Sequence, residues 1–291
     1  MRLIARDATL GSVIEDDRRG RADVDFARDP SGRTYICRQY VSYPYHICRP
    51  LTFAGDPPGM ATLYLQSCAG GIFQDDRLVE RIAAGPAAAA QVTTQAATIV
   101  HGMDRGTASQ QVSIAAAPDA FVEFLPDPFI LFPRARFASE VRVRADEAAT
   151  VLLSDSFIGH DPQGSGAVFD WYRGTLTVED RSGATVAQDR FRVTGDALQA
   201  GTPGITGAFA AQGSFFVLHR HLPAPAIVEA LREAVAGLPG TYAGASALPS
   251  DCGAWLRVAA ADGAALRSAM SAAWQGVRRL LTGLTPAPRR K

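Results

Sequence analysis

The stretch ASEVRVRA, residues 138–145, alternates apolar and charged side chains along its length. In an extended chain, Val141 and Val143 lie on one face, whereas Glu140 and Arg142 lie on the other. This period of two is typical of a β-strand that has one buried and one solvated face. The stretch therefore predicts a strand that contributes one side to a packed core.

The same alternation recurs through most of the chain. MATLYLQS, residues 60–67, places Ala61, Leu63 and Leu65 on one face, and similar segments end at Gly, Pro, Asp or Ser. No helical pattern interrupts them before about residue 220. We therefore predict a mainly β protein with roughly a dozen or more short, predominantly antiparallel strands in a layered architecture. Further segments of this kind are residues 120–126, 174–180, 185–193, 214–220 and 254–260.

Two helices are predicted in the last quarter of the chain. Pro225 suits a first helical turn, and Ile227, Leu231 and Val235 follow it at helical spacing. Asp262 is a suitable N-cap for a second, longer helix. The apolar stripe of that helix consists of Leu266, Met270, Ala273, Trp274, Val277, Leu281 and Leu284. We expect most of the stripe in the core, and a partner-binding face at Leu266, Met270, Trp274 and Val277.

No convincing linker divides the chain. We therefore expect one domain over residues 1–291, β-rich over 1–222 and helical within 223–285. The end of the chain, PAPRRK, residues 286–291, is expected to be a loose basic tail.

Composition excludes several classes of protein. The chain has 291 residues, of which 47% are hydrophobic, and its formal net charge is zero. Without a basic excess, nucleic acid is not expected as a partner. No stretch reaches the roughly 18 apolar residues of a membrane span, and the N-terminus lacks the apolar segment of a signal peptide. With four scattered cysteines as well, we expect a cytoplasmic protein with reduced thiols and no membrane partner.

Lysine is almost missing from the sequence. The one lysine, Lys291, is the last residue. A P-loop, a pyridoxal Schiff base and a protein kinase each require a lysine within the fold. Any nucleotide chemistry that this protein depends on must therefore reside on another protein.

Two polar motifs stand out in the first third of the chain. AGGIFQDDRL, residues 69–78, joins a Gly-Gly turn to paired carboxylates, and VTTQAATI, residues 92–99, is rich in hydroxyl and amide groups. The pair resembles the central motifs of the urease accessory protein family UreD, also called UreH. The resemblance extends to residues 32–40, 46–53 and 120–144.

The chain departs from the family pattern at a few positions. Asp75 stands where the family usually has glycine, and Ile99 where it usually has lysine. A Gly-Arg motif and its downstream acidic residue correspond here to Gly159-His160 and Ala167. These changes keep open an alternative, a diverged UreD-like scaffold for another metalloenzyme.

The resemblance implies a non-enzymatic urease maturation scaffold. Such a protein would bind the urease apoprotein and UreF, with the GTPase UreG docking through UreF, and would help to deliver nickel to the urease active site. It would hold no tight cofactor, only transient nickel. A polar passage of oxygen donors would release the ion more readily than a site of Cys and His. The residues that would line it are Asp76, Thr93, Thr94, Gln95, Thr98 and His101.

Other readings of the polar residues remain open. His219 and His221 lie two apart, so on a strand they share a face and could hold one metal ion, and His46 and Cys48 have the same relation. Asp75 and Asp76, as neighbours, point apart on a strand and equally suit the closing of a turn.

A β-fold hydrolase is the competing class of function. Ser156 and His160 lie in one short segment with two aspartates. A G-x-S-x-G elbow is missing from the sequence, however, and closeness in sequence does not align a triad.

Overall fold

Two β-sheets lie face to face, and helices cover one outer face. The computed structural model describes residues 19–287 and 289, with 46% strand and 15% helix. The mainly β, layered architecture predicted from alternation is confirmed. The strands are β1 (Arg19–Arg28), β2 (Thr34–Val41), β3 (Tyr45–Ile47), β4 (Ala61–Ser67), β5 (Arg77–Ala84), β6 (Ala89–Thr94), β7 (Thr98–Val100), β8 (Ala108–Ala116), β9 (Phe121–Phe124), β10 (Phe129–Leu131), β11 (Arg136–Ala145), β12 (Thr150–Gly159), β13 (Trp171–Glu179), β14 (Thr185–Val193), β15 (Ala211–Leu218), β16 (Thr241–Ala247) and β17 (Gly253–Ala260). The helices are α1 (Gly195–Gln199), α2 (Ala224–Val235) and α3 (Gly263–Thr282).

From β4 to β13 the long strands alternate between the sheets. The first sheet has the order β14-β13-β11-β8-β5-β1-β2, and the second has β16-β17-β15-β12-β9-β6-β4-β3, with β7 and β10 at its side. The chain thus winds as stacked coils, in the manner of a β-solenoid. Each coil contributes one strand to each sheet.

The prediction that the strands are predominantly antiparallel is wrong, because the chain winds in coils. In the described part of the chain, nine of the fifteen strand ladders are parallel. Because the chain visits the opposite sheet between neighbouring strands, it returns to the first sheet in the same direction. The alternation of apolar and polar side chains along a strand shows which face is buried, but it does not show whether neighbouring strands are parallel or antiparallel.

Both predicted helices are present. α3 begins after Asp262, whose carboxylate accepts hydrogen bonds from the backbone N–H groups of Ala264 and Ala265, and it ends at Gly283 in the left-handed conformation. The five-residue helix α1 was not predicted, since it is too short to show a helical period. None of the described helices is long and apolar enough to cross a membrane.

Three apolar clusters form the core. Between the sheets, the lower core includes Ile82, Val112, Val141, Leu176 and Leu153. Also between the sheets, the upper core includes Leu78, Ala108, Phe137, Tyr172 and Phe157. The outer core, on the other face of the second sheet, joins β15 and β17 to the apolar faces of α2 and α3.

The proposed partner face of α3 lies in this outer core. Leu266 and Val277 are fully buried, Trp274 is 7% exposed, and Met270 packs at the margin of the cluster. Helical spacing identified the buried stripe but could not show that α2 and two strands cover it. In this conformation the four side chains do not form a free docking surface.

A buried ion-pair network clamps α3 to the second sheet. Arg278 binds Glu123 of β9 through two hydrogen bonds, 2.7 and 2.6 Å long, and both side chains are fully buried. Asp56 accepts a third hydrogen bond from Arg278 at 3.0 Å. The Trp274 indole and the Gln91 amide also donate to Glu123, at 3.1 and 2.6 Å. The carboxylate is therefore fully hydrogen-bonded without water.

The end of the chain joins the same network. Arg289 donates to Gln91 and Asp56, in each case over 2.7 Å, and its side chain is 8% exposed. At Arg289 the expectation of a loose tail is therefore wrong, because two buried oxygens and the rings of Phe53 and Trp274 hold the guanidinium group. Residues 1–18, 288, 290 and 291 lie outside the described residues.

Removal of the buried ion pair between Arg278 and Glu123 should strongly destabilise the fold. Glu123→Ala leaves the Arg278 guanidinium buried without its main counter-charge, so we expect a loss of about 3–5 kcal/mol in the free energy of unfolding, measured by urea denaturation. As a control, Asp104→Asn breaks the exposed pair with Arg134 and should cost less than about 1 kcal/mol. Equal losses in the two variants would contradict a special role of the buried ion pair in stability.

Candidate functional site

The two polar motifs meet in space. The backbone N–H of Ile72 donates to the carbonyl of Ile99 over 2.8 Å, and that of His101 donates to the carbonyl of Ile72 over 2.9 Å. Gly71, with a φ of 140°, approaches so closely that a Cβ there would lie 2.5 Å from the Ile99 carbonyl oxygen. The Gly-Gly turn is therefore what allows the first motif to dock on the end of the second.

His101 and Asp76 hold this junction together. The His101 ring stacks on Phe73, with centroids 4.3 Å apart, and its Nε2 lies 3.1 Å from the carbonyl oxygen of Gly70. Asp76 Oδ2 accepts a hydrogen bond from the backbone N–H of Phe73 over 2.7 Å. Both contacts close the turn, which matches the reading of Asp76 as a turn residue.

The backbone of Asp75 lies in a conformation that glycine favours. It has a φ of 66°, in the left-handed region. Glycine adopts this conformation without steric cost, and aspartate tolerates it better than most other residues. The backbone at position 75 therefore suits glycine, the residue that the resemblance implies there, as well as the aspartate of this chain.

Strand β6 separates the residues of the second motif. Thr94 shares the face of Ala90 and Val92, which pack in the lower core between the sheets. Thr93 lies on the opposite face, where its hydroxyl donates to the carbonyl of Leu125 over 2.6 Å, and Gln95, in the bend after β6, accepts a hydrogen bond from the Gln66 amide. The expected common lining by Thr93, Thr94 and Gln95 therefore does not form, since neighbours on a strand point apart.

A layer of polar groups lies between the lower and upper cores. Each of five strands changes from one core to the other across a residue that is not hydrophobic: Glu80 on β5, Gln110 on β8, Ser139 on β11, Gly174 on β13 and Asp155 on β12. Thr94 lies on the same inward face of β6, one step beyond Val92; it pairs with Leu65, and its hydroxyl accepts a hydrogen bond from the Asp127 backbone N–H over 2.8 Å. We call the groups at this level, with the hydroxyls of Tyr45 and Tyr172, the polar layer.

Tyrosine hydroxyls are donors to both acids of the polar layer. Tyr45 donates to Glu80 over 2.8 Å, and the Gln110 amide donates to the same carboxylate oxygen over 2.6 Å. Tyr172 donates to Asp155 over 2.6 Å. At Gly174, the missing side chain leaves room for the Asp155 carboxylate and the Phe191 ring.

Burial governs the electrostatics of the polar layer. It raises the pKa of Asp155 to about 6, although the hydrogen bond from Tyr172 and the charge of Arg257 oppose the shift. Burial also raises the pKa of Glu80, against the hydrogen bonds from Tyr45 and Gln110. Among the described residues neither acid takes part in an ion pair, and the neighbouring Arg257 is paired with Asp189. Neither carboxylate therefore has a direct ion-pair partner among these residues.

Thr98 and the histidine pair lie elsewhere. Thr98, partly buried, begins β7 and pairs with Phe129 of β10. The rings of His219 and His221 are 5.3 Å apart, but His219 Nδ1 lies 2.8 Å from the Thr150 hydroxyl, and His221 Nε2 lies 3.2 Å from the Ala148 carbonyl oxygen. Burial lowers the pKa of His219, and His221 lowers it further. A metal ion at this pair stays a prediction.

The geometry gives no support to a serine hydrolase. Ser156 is 6% exposed within β12, and His160 follows the end of that strand. Four residues of extended chain separate their positions by about 13 Å, far beyond hydrogen-bond reach. Asp155, which points between the sheets, is bonded to Tyr172 rather than to a histidine.

Sequence reasoning missed most of the polar layer. The available signal is a single polar residue on an otherwise apolar strand face, as in Leu78-Glu80-Ile82 and Leu153-Asp155-Phe157. One such residue is compatible with a strand end or a solvated edge. Only the stacking of coils shows that several of them occupy one level.

The fold and this site define a class of protein, a β-solenoid whose two sheets enclose a layer of oxygen donors. A model of the family described as UreD urease accessory protein matches residues 18–291. The chain therefore belongs to the UreD family of urease accessory proteins, and the resemblance drawn from its motifs is confirmed.

Relatives of similar length support the assignment. Urease accessory protein UreD 1 of Pseudomonas syringae pv. syringae (strain B728a) is 44% identical over 270 residues, covering 93% of this chain and 95% of the relative. UreD 1 of Methylorubrum extorquens (strain PA1) is 38% identical, with 94% and 92% covered. UreD of Natronomonas pharaonis is 32% identical, with 93% and 91% covered. All three are named accessory proteins, consistent with a non-enzymatic role.

Asp155→Asn should make the protein more stable at neutral pH. The pKa of the acid is raised in the folded state, so its ionisation favours unfolding, and the contribution of this group to stability is lost as pH rises from 3.8 to about 6. The variant cannot ionise here and should gain about 1–3 kcal/mol above pH 6 and nothing below pH 3.8. Urea denaturation across this range measures the difference, and identical pH profiles would contradict it.

The backbone at Asp75 predicts a difference between two small substitutions. Asp75→Gly and Asp75→Ala both remove the side-chain contact with Gln74. Only alanine retains a Cβ at a φ of 66°. The glycine variant should therefore be more stable than the alanine variant, by about 1 kcal/mol in thermal or urea denaturation. An alanine variant of equal stability would show that this φ is not required.

Proposed function

We propose that this protein is a urease maturation scaffold that binds the urease apoprotein and UreF, with UreG docking through UreF. In this role it conducts nickel through the polar layer toward the urease active site. Membership of the UreD family supports the accessory role. The polar layer, with its two unpaired carboxylates, is the observation that carries the passage.

The position of the polar layer suits transit. It crosses the space between the two sheets, from the hydroxyl of Tyr45 on β3 to Asp155 on β12. Beyond Asp155, Ser214 of β15 and Arg257 of β17 continue the same register toward the partly exposed pair of Arg257 and Asp189. Polar groups therefore extend across the interior rather than forming a closed pocket.

The donor chemistry of the polar layer favours release. Its possible ligands are carboxylate, hydroxyl and amide oxygens, with no imidazole or thiol among them. Such donors bind a borderline divalent ion more weakly than nitrogen and sulfur do. The ionised acids would attract the cation, and the tyrosine and amide donors would orient the carboxylates without trapping it.

The near absence of lysine supports the assignment of GTP chemistry to a partner protein. With its one lysine at position 291, the chain cannot build a phosphate-binding loop of the P-loop type. A maturation step driven by GTP therefore has to be supplied by a partner. UreG, reached through UreF, takes that role in this proposal.

Conservative changes in the polar layer should impair nickel transfer without loss of assembly. We expect Glu80→Gln, Asp155→Asn and Thr94→Val to lower the nickel content and activity of urease matured in cells without another UreD, while each variant still co-purifies with UreF and urease. Thr93→Val is the matched control, because Thr93 faces away from the polar layer. Glu80→Gln and Asp155→Asn are expected to impair transfer because each removes a negative charge while the side chain keeps nearly the same shape.

Three outcomes separate the parts of this proposal. Full maturation by all three variants would exclude the polar layer as a path. Failure of the wild-type chain to co-purify with UreF and urease would remove the scaffold role. Co-purification with a different metalloenzyme, and no effect on urease, would favour the alternative of a UreD-like scaffold for that enzyme.

A further inference from the structure

A cluster of three donor groups lies on the outer face of the second sheet, at its β3 edge. His46 of β3 pairs with Gln66 of β4, and Cys48 follows β3 on the same face. His46 and Cys48 are exposed, and Gln66 is partly exposed. Solvent ions therefore have direct access to all three side chains.

The three donor atoms form a compact triangle. His46 Nδ1 lies 3.0 Å from Gln66 Oε1, Cys48 Sγ lies 3.3 Å from the same oxygen, and Sγ and Nδ1 are 3.6 Å apart. Gln66 is itself held in place, because its amide nitrogen donates to the side-chain oxygen of Gln95. This hydrogen bond directs Oε1 toward the imidazole and the thiol.

The triangle has the dimensions of one face of a metal coordination sphere. Metal–sulfur, metal–nitrogen and metal–oxygen bonds of about 2.3, 2.05 and 2.1 Å, at angles of about 90–110°, separate the donors by about 2.9–3.6 Å. All three observed separations lie in that range. A cation could therefore bind with little movement of the side chains.

We propose that Cys48 Sγ, His46 Nδ1 and Gln66 Oε1 form a surface site for a borderline divalent cation of the Zn²⁺, Co²⁺ and Ni²⁺ class. Binding transfers the thiol proton of Cys48 to solvent and requires the imidazole proton on Nε2, so that Nδ1 can donate its lone pair. The fourth coordination position faces water. Among the described residues no group of three or more His, Cys, Asp and Glu side chains is placed to hold a metal, so the amide is the third donor.

The site is distinct from the polar layer. It lies on the outer face of the second sheet and uses sulfur and nitrogen, whereas the polar layer lies between the sheets and uses oxygen. Thiolate and imidazole suit this class of cation better than amide or hydroxyl oxygen does. The site does not depend on the proposed role in urease maturation.

Cobalt titration of the full-length protein tests the site directly. Co²⁺ bound through a thiolate gives a sulfur-to-metal charge-transfer band in the near ultraviolet, which oxygen ligation does not produce. We expect this band in the wild type, its loss in Cys48→Ser, and affinity weakened by an order of magnitude or more in His46→Ala. Cys37→Ser is the matched control, because Cys37 is also exposed and its thiol donates a hydrogen bond to the Asp25 carbonyl.

A further variant tests the third donor. Gln66→Glu replaces the amide oxygen with a charged carboxylate at almost the same position and should tighten Co²⁺ binding. Circular dichroism melting establishes that each variant is folded. A charge-transfer band that survives Cys48→Ser, or that Cys37→Ser abolishes equally, would overturn the assignment, as would the absence of any band in the folded wild type.

Discussion

Register between stacked coils is the constraint on which this structure depends. In the first sheet, Gln110 pairs with Ser139, and Ser139 pairs with Gly174, through parallel ladders. Equivalent positions of these coils therefore lie side by side, and Glu80, which pairs with Val112, reaches the same level through the hydrogen bond that it accepts from Gln110. A slip of one residue in any coil would turn its apolar residues outward and remove its member of the polar layer.

Stability and the polar layer oppose each other. Two carboxylates without ion pairs lie between apolar cores, and burial raises the pKa of each. An apolar residue at either position would pack with the flanking leucines and isoleucine at no such cost. The fold offsets the cost elsewhere, through its cores and through the bidentate contact of Arg278 with Glu123. Glu123 and the acids of the polar layer thus differ in kind, because the first is fully compensated by a guanidinium group and the others are not.

Much of the fold was predictable, because alternation and helical spacing are local properties. The order of the side chains alone predicts which residues of 60–67 and 138–145 face the core, and it predicts the N-cap at Asp262. Strand direction was not predictable, since it depends on where the chain travels between strands. The polar layer could not be predicted either. Glu80 and Asp155 are 75 positions apart in sequence, and only the stacking of the coils brings them to one level. Motif similarity identified the family correctly, but it grouped Thr93, Thr94 and Gln95 as one lining.

The division of that motif between two faces accounts for its composition. Thr94 shares the inward face of Val92 and accepts a hydrogen bond from the Asp127 backbone N–H, whereas Gln95, the next residue, accepts a hydrogen bond from Gln66 on the outer face. A strand of a simple sandwich needs polar residues on only one face. Here the end of β6 borders a polar environment on both sides, the interior layer of oxygen donors and the outer triangle of sulfur, nitrogen and oxygen donors. A run of small hydroxyl and amide side chains meets both demands at once, because each can satisfy its hydrogen bonds in a partly buried site without introducing a charge. The polarity of the motif is therefore a consequence of its position between two chemically different surfaces, and a substitution at one residue should affect one surface without the other.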